Sequence, residues 1–124
     1  MSTRAHVAFG FTKNFDEREA MVYVHNDGHP KYMGNEFLRF FDAIQATCED
    51  TRFDDPEYLA AKYVVWRMEG RVENIGVSIS REPHYSAAFL YLVVCNTNGE
   101  TPEVYISNAN DRNFITLARK LEQI

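Results

Sequence analysis

The chain predicts an α+β fold, a single domain over residues 1–124 with an antiparallel sheet in the order ββααβββα and its helices packed mainly on one face. Three observations carry this expectation. Two β-prone runs open the chain, two helical segments follow one another in its middle, and three further β-prone runs precede a last helix. Strands grouped apart from paired helices, joined by short connections, argue for helices laid against an antiparallel sheet.

Taken in order, Ala5 to Thr12 (AHVAFGFT) and Glu19 to His25 (EAMVYVH) are extended in composition and flank the polar stretch Lys13–Glu17, which reads as a β-hairpin. From Asn35 to Glu49 the period changes. Phe37, Phe41, Ile44 and Cys48 fall on one helical stripe, with Gly34-Asn35 as the start and Asn35 as the expected N-cap. Asp55-Pro56-Glu57 then supplies a cap, a preorganised first helical residue and a first-turn acid, so a second helix runs from Pro56 to Met68 and ends at Gly70. Ile75, Val77 and Ile79 alternate with Gly76, Ser78 and Ser80, as in a half-buried strand. Ala87 to Cys95 (AAFLYLVVC) is nearly continuous apolar sequence and is the expected central strand. Asn96-Thr97-Asn98-Gly99 turns it into Glu103–Ser107, with Pro102 at the entry. Asn108–Asp111 caps a final helix that carries Phe114, Leu117, Ala118 and Leu121 on one face.

Composition bounds the function. With 45% hydrophobic residues, nine Phe, seven Tyr and one Trp in 124 residues, the chain has ample material for one core. No apolar run approaches the roughly 20 residues that a membrane span needs, and Met1 to His6 lacks the apolar centre of a signal peptide, so a cytoplasmic protein is expected. Cys48 and Cys95 lie far apart in apolar surroundings and are read as buried free thiols of a reducing compartment. Neither has a second ligand at metal-binding spacing. A formal charge of −5 disfavours an extended nucleic-acid surface, although Arg4, Arg67, Arg71 and Arg81 remain local phosphate candidates.

Chemistry concentrates at His25-Asn26-Asp27-Gly28-His29-Pro30. The hairpin brings Arg4 opposite this segment, since the start of one antiparallel strand lies beside the end of the other. An arginine beside a histidine and an aspartate can hold a phosphate or carboxylate, with Asp27 fixing the imidazole or the guanidinium. The expected ligand-binding set is Arg4, Tyr23, His25, Asp27, Gly28 and His29. The alternation His25-x-Asp27-x-His29 would suit a metal on an extended strand, but Gly28 and Pro30 signal a turn that breaks it, so no metal or other cofactor is assigned. The same residues also admit a purely structural reading, in which Asp27 and Gly28 form a turn and Arg4 forms a plain salt bridge.

Met1-Ser2-Thr3-Arg4 followed by Tyr23-Val24-His25-Asn26-Asp27-Gly28-His29-Pro30 resembles a family of small phage and prophage proteins of unknown function, whose openings read M-S-T-R and whose hairpins end Y-x-H-x-D-G-Y-P. The likeness includes Asp50–Trp66 and so spans about the first half of the chain. His29 departs from the aromatic usual in the family at that position. The resemblance implies phage origin, and with it the bacterial host cytoplasm, and little chemistry; phage accessory proteins of this size often act by stoichiometric binding, which is the expectation here. As counter-defence it would sequester a nucleotide signal or block a host defence protein.

In the nucleotide version Arg4 and one of Arg67, Arg71 or Arg81 hold phosphates while Tyr23, Tyr32 or Trp66 stacks on a base. In the protein version the acids Asp50, Asp54, Asp55 and Glu57 meet a basic partner. An apolar helix stripe left exposed would point to a homo-oligomer. The alternative is a small hydrolase or transferase, metal-assisted in one form, with His25 as general base, Asp27 orienting it and Arg4 stabilising negative charge. Binding is favoured over catalysis because no nucleophile accompanies the histidine, so no catalytic residue is assigned.

Overall fold

A computed structural model describes residues 3–73, 76–84 and 86–122. Met1, Ser2 and Ile75, which enter the expectations above, lie outside them. The α+β architecture with three helices is as the sequence indicates, and the sheet has six strands, one more than expected. The strands are β1 (Ala5–Gly10), β2 (Ala20–Val24), β3 (Val77–Ile79), β4 (Phe89–Val94), β5 (Glu103–Asn108) and β6 (Ile115–Thr116), in the order β3-β2-β1-β4-β5-β6. The helices are α1 (Pro30–Thr47), α2 (Pro56–Met68) and α3 (Leu117–Glu122).

β1 and β2 form the expected antiparallel hairpin, with Ala5 opposite Val24 and His6 opposite Tyr23. The sheet is not wholly antiparallel, however, because β1 pairs with β4 in parallel, Ala5 beside Phe89 and Gly10 beside Val94. Flanked on both sides, every residue of β1 is buried. The elements that separate β1 from β4 in sequence serve as the long connection that parallel neighbours require.

α1 begins at Pro30 rather than near Asn35. His29 caps it, its Nδ1 accepting the Lys31 N–H at 3.1 Å, and Pro30 occupies the first turn, where a missing N–H costs nothing. α2 has the expected bounds, with the Asp55 carboxylate accepting the Tyr58 N–H at 3.1 Å and left-handed Glu69 and Gly70 closing the helix. The final helix is shorter than expected. Asp111 organises a turn, accepting from Ser107 Oγ and from the Asn113 N–H, and the chain then adds β6 before α3, so Phe114 packs with Phe15 rather than on a helix face.

Alternation divides the sheet. Ala5, Val7, Phe9, Val22, Val24, Tyr91 and Val93 form the main core with Met33, Phe37, Phe40, Leu59, Tyr63 and Leu117 of the helices. On the other face Ala8, Met21, Leu90, Leu92 and Tyr105 pack with Phe15 into a smaller cluster. His6 and Tyr23 share the parity of this second face. Among the described residues no helix is long and apolar enough to cross a membrane.

Candidate functional site

The end of the hairpin does not hold the predicted residues on one surface; it distributes them over two. On the open sheet face Tyr23 and His25 meet, the phenol hydroxyl lying 2.8 Å from His25 Nδ1. Beside them His6 is fully buried, its ring 5.2 Å from Tyr23 and stacked at 5.3 Å on the exposed His84, which is itself 4.6 Å from Tyr23. The result is a cluster of three imidazoles and one phenol. His6 Nε2 accepts the His84 backbone N–H at 2.8 Å, and an accepting nitrogen carries no proton, so the neutral ring bears its proton on Nδ1. That atom is buried without a partner among the described residues. Burial, followed by the neighbouring His84 and Arg18, lowers the His6 pKa from 6.5 to about 4.

Arg4 lies one step beyond the Ala5–Val24 pair, level with His25, and its carbonyl continues the parallel ladder by accepting the Ala88 N–H at 2.8 Å. The expected meeting of the two hairpin ends therefore holds at the backbone. Arg4 is half-buried, and its guanidinium has no carboxylate partner among the described residues. Asp27 does not orient the imidazole or the guanidinium. It is exposed, at a φ of 60°, and Tyr23 takes the place at His25 that the sequence gives to Asp27. The positive φ turns the chain and ends the alternation on which a shared face depends.

Gly28 and His29 serve the backbone. The Gly28 N–H donates to the Thr3 carbonyl at 2.9 Å, and its own carbonyl accepts the buried Tyr91 hydroxyl at 2.6 Å. A Cβ here would lie 2.7 Å from Ala5 Cβ and 2.8 Å from the Thr3 oxygen, so the close approach requires glycine. His29 has its Nδ1 engaged in the α1 cap, and its ring meets Phe89 edge-on at 5.5 Å.

Arg67 is committed as well. Between the helices it donates to the Glu36 carboxylate, to Tyr63 Oη and to the Asn26 carbonyl, while the Tyr63 hydroxyl donates to Glu36 at 2.6 Å. Trp66 packs on Phe40, and the Arg71 Nε donates to the Met68 carbonyl. Among the described residues no group of three or more His, Cys, Asp or Glu is placed to hold a metal ion. Both cysteines are free. Cys95 is buried, with its thiol pushed up to about 12 chiefly by burial, but Cys48 is only half-buried and lies 3.7 Å from the Lys62 ammonium.

A hollow of about 460 Å³ opens beside Asp27 along the first turns of α1, bordered by Lys31, Tyr32, Asn35, Glu36, Leu38 and Arg39. The Glu36 charge is matched by Arg67, whereas the Lys31 and Arg39 side chains have no ion-pair partner among the described residues. With the Asp27 carboxylate on its border set against one of these two cations, the hollow carries a local excess of one positive charge on a chain of net charge −5. Tyr32, 57% exposed, supplies an open aromatic face at its edge. Lys31 goes unnoticed in the sequence because a helix begun at Asn35 leaves it, with Tyr32, in a loop, off the helix that carries Arg39. Pro30, a residue favoured at the first helical position, is the signal that places them.

Comparison with protein-family models, with curated proteins and with solved structures gave no match for this chain.

Proposed function

We propose that this is a small phage-type accessory protein that acts in counter-defence by stoichiometric binding, sequestering an anionic nucleotide-type signal in the hollow along α1. The observation that carries this reading is the placement of two cations without ion-pair partners among the described residues beside an exposed aromatic ring. Lys31 and Arg39 suit phosphate oxygens, Tyr32 suits the face of a base, and Asn35 and Asp27 offer hydrogen-bonding groups for its edge or for a ribose hydroxyl. The resemblance of the hairpin motif to phage proteins supports the biological setting. The competing reading, a hydrolase or transferase, has less support, because His25 faces the Tyr23 phenol instead of an orienting acid and no serine, threonine or cysteine is bonded to it among the described residues.

Thermal-shift and calorimetric titration against cyclic dinucleotides, cyclic trinucleotides and ADP-ribose provides the test. One of these should raise the melting temperature, bind one-to-one and be recovered unchanged, since a ligand selective for the folded form stabilises it. The double variant Lys31→Glu, Arg39→Glu should lose that shift while melting like the parent without ligand. Flat responses across the panel would remove the reading, and turnover abolished by His25→Ala would replace it with the enzyme.

A further inference from the structure

The outer faces of α1 and α2 enclose an apolar groove of about 400 Å³ walled by Phe40, Ile44, Tyr58, Ala61, Val65 and Trp66. Val65 is 72% exposed and Tyr58 43%, so large apolar side chains stand open to water along the groove. At one end the Arg52 guanidinium lies 4.1 Å from the centre of the Tyr58 ring. Beyond Arg52 opens a polar hollow of about 440 Å³ bordered by Glu19, Asp50, Asp54, Asp55 and Glu57. Arg52, the cation on its border, is bonded to Asp55 at 2.8 Å, which leaves Glu19, Asp50, Asp54 and Glu57 without an ion-pair partner among the described residues.

We propose that this continuous surface docks a cationic amphipathic segment of a partner protein, its apolar stripe in the α1/α2 groove and its lysines or arginines over the acidic hollow. Helix-in-groove recognition requires an apolar trough, and the sign of charge at the rim selects the partner. Here the charges fix direction too. Lys62, the groove's own cation, lies 4.9 Å from the Tyr58 ring centre and 3.7 Å from the Cys48 sulfur, so positive charge is disfavoured inside the groove and favoured past Arg52. The site is separate from the hollow beside Asp27 and stands without the nucleotide reading.

Trp66, the single tryptophan, lines the groove and reports its occupancy directly. An amphipathic peptide of about five helical turns, free of tryptophan, with leucines on one face and lysines on the other, should change Trp66 emission saturably. Its affinity should fall about tenfold or more between low and physiological salt, as screening of the acidic hollow requires. Val65→Glu and the pair Glu19→Lys, Asp54→Lys should each weaken binding about tenfold, with melting curves like that of the parent. A peptide with glutamates in place of the lysines should not bind. No emission change with the leucine–lysine peptide overturns the proposal. So does equal affinity for a scrambled leucine–lysine sequence, which would reduce the effect to bulk charge. Sedimentation of the protein alone as a dimer that Val65→Glu dissociates would also overturn it, by showing that a second copy fills the groove.

Discussion

His6 and His84 stack with ring centroids 5.3 Å apart and planes 9° apart, while the backbone N–H of His84 donates to His6 Nε2 at 2.8 Å. A fully buried imidazole thereby lies beneath an exposed one, with Tyr23 at its side and Arg18 adding a repulsive charge. Its pKa of about 4, against 6.5 for a free ring, means that the unfolded chain binds more protons at this residue than the folded protein does. Stability from neutral His6 is fully present above pH 6.5, declines as pH falls toward 4 and is gone below that. At roughly 1.4 kcal/mol per pKa unit the effect is at most about 3.5 kcal/mol. Urea unfolding at a series of pH values across this window should show His6→Phe with a flatter pH dependence than the parent; parallel curves would assign the dependence to other groups.

Gly28→Ala should destabilise the protein by about 1–3 kcal/mol, because the new methyl would need the space held by Ala5 Cβ and by the Thr3 oxygen. Neither neighbour yields easily. Ala5 lies in the buried ladder between β2 and β4, and the Thr3 carbonyl is the acceptor that ties Gly28 to the first strand. Equilibrium unfolding checks this, and a variant as stable as the parent would show that the turn has room to shift.

Tyr91→Phe tests the same turn from the opposite side. The hydroxyl is buried and donates to the Gly28 carbonyl at 2.6 Å, so its removal strands an acceptor away from water, at a cost of about 1–3 kcal/mol. Burial drives the Tyr91 pKa far above its ordinary value, so the bond stays intact through mildly alkaline pH. The loss measured by urea unfolding should therefore be the same at neutral and mildly alkaline pH.

The hairpin, α2 and the antiparallel pair of β4 and β5 are legible in the sequence because each depends on local signals: alternation, the Asp55-Pro56 cap and the Asn96–Gly99 turn. The parallel register of β1 with β4 is not. It is a tertiary pairing made beneath α2, which packs over β1 and β2, and short-range patterns carry no record of which strands become neighbours across so long a connection. The site is legible to the same degree. Arg4 and His25 are brought level by the hairpin, which the sequence signals, whereas His84 reaches His6 through tertiary folding alone. Asp27 leaves the cluster for a local reason, the positive φ at which it enters the turn before Gly28.

The Glu36–Tyr63–Arg67 network gives the last prediction, since it joins α1, α2 and the turn at Asn26 in one set of bonds. The Glu36 and Arg67 side chains are only 15% and 13% exposed, so each charge depends on the other for compensation. Glu36→Ala should cost about 3–5 kcal/mol, because it leaves a largely buried guanidinium unpaired and removes the acceptor of a buried phenol. Tyr63→Phe should cost less, about 1 kcal/mol, since the ion pair survives and only the hydroxyl bonds are lost. Replacing both charges together, Glu36→Met with Arg67→Met, should cost less than Glu36→Ala alone, because no unpaired ion remains and the freed space is filled by apolar atoms. Urea unfolding of the three variants decides the matter: a double replacement more damaging than Glu36→Ala would show that the Arg67 bond to the Asn26 carbonyl, not the pairing of charge, holds the turn in place.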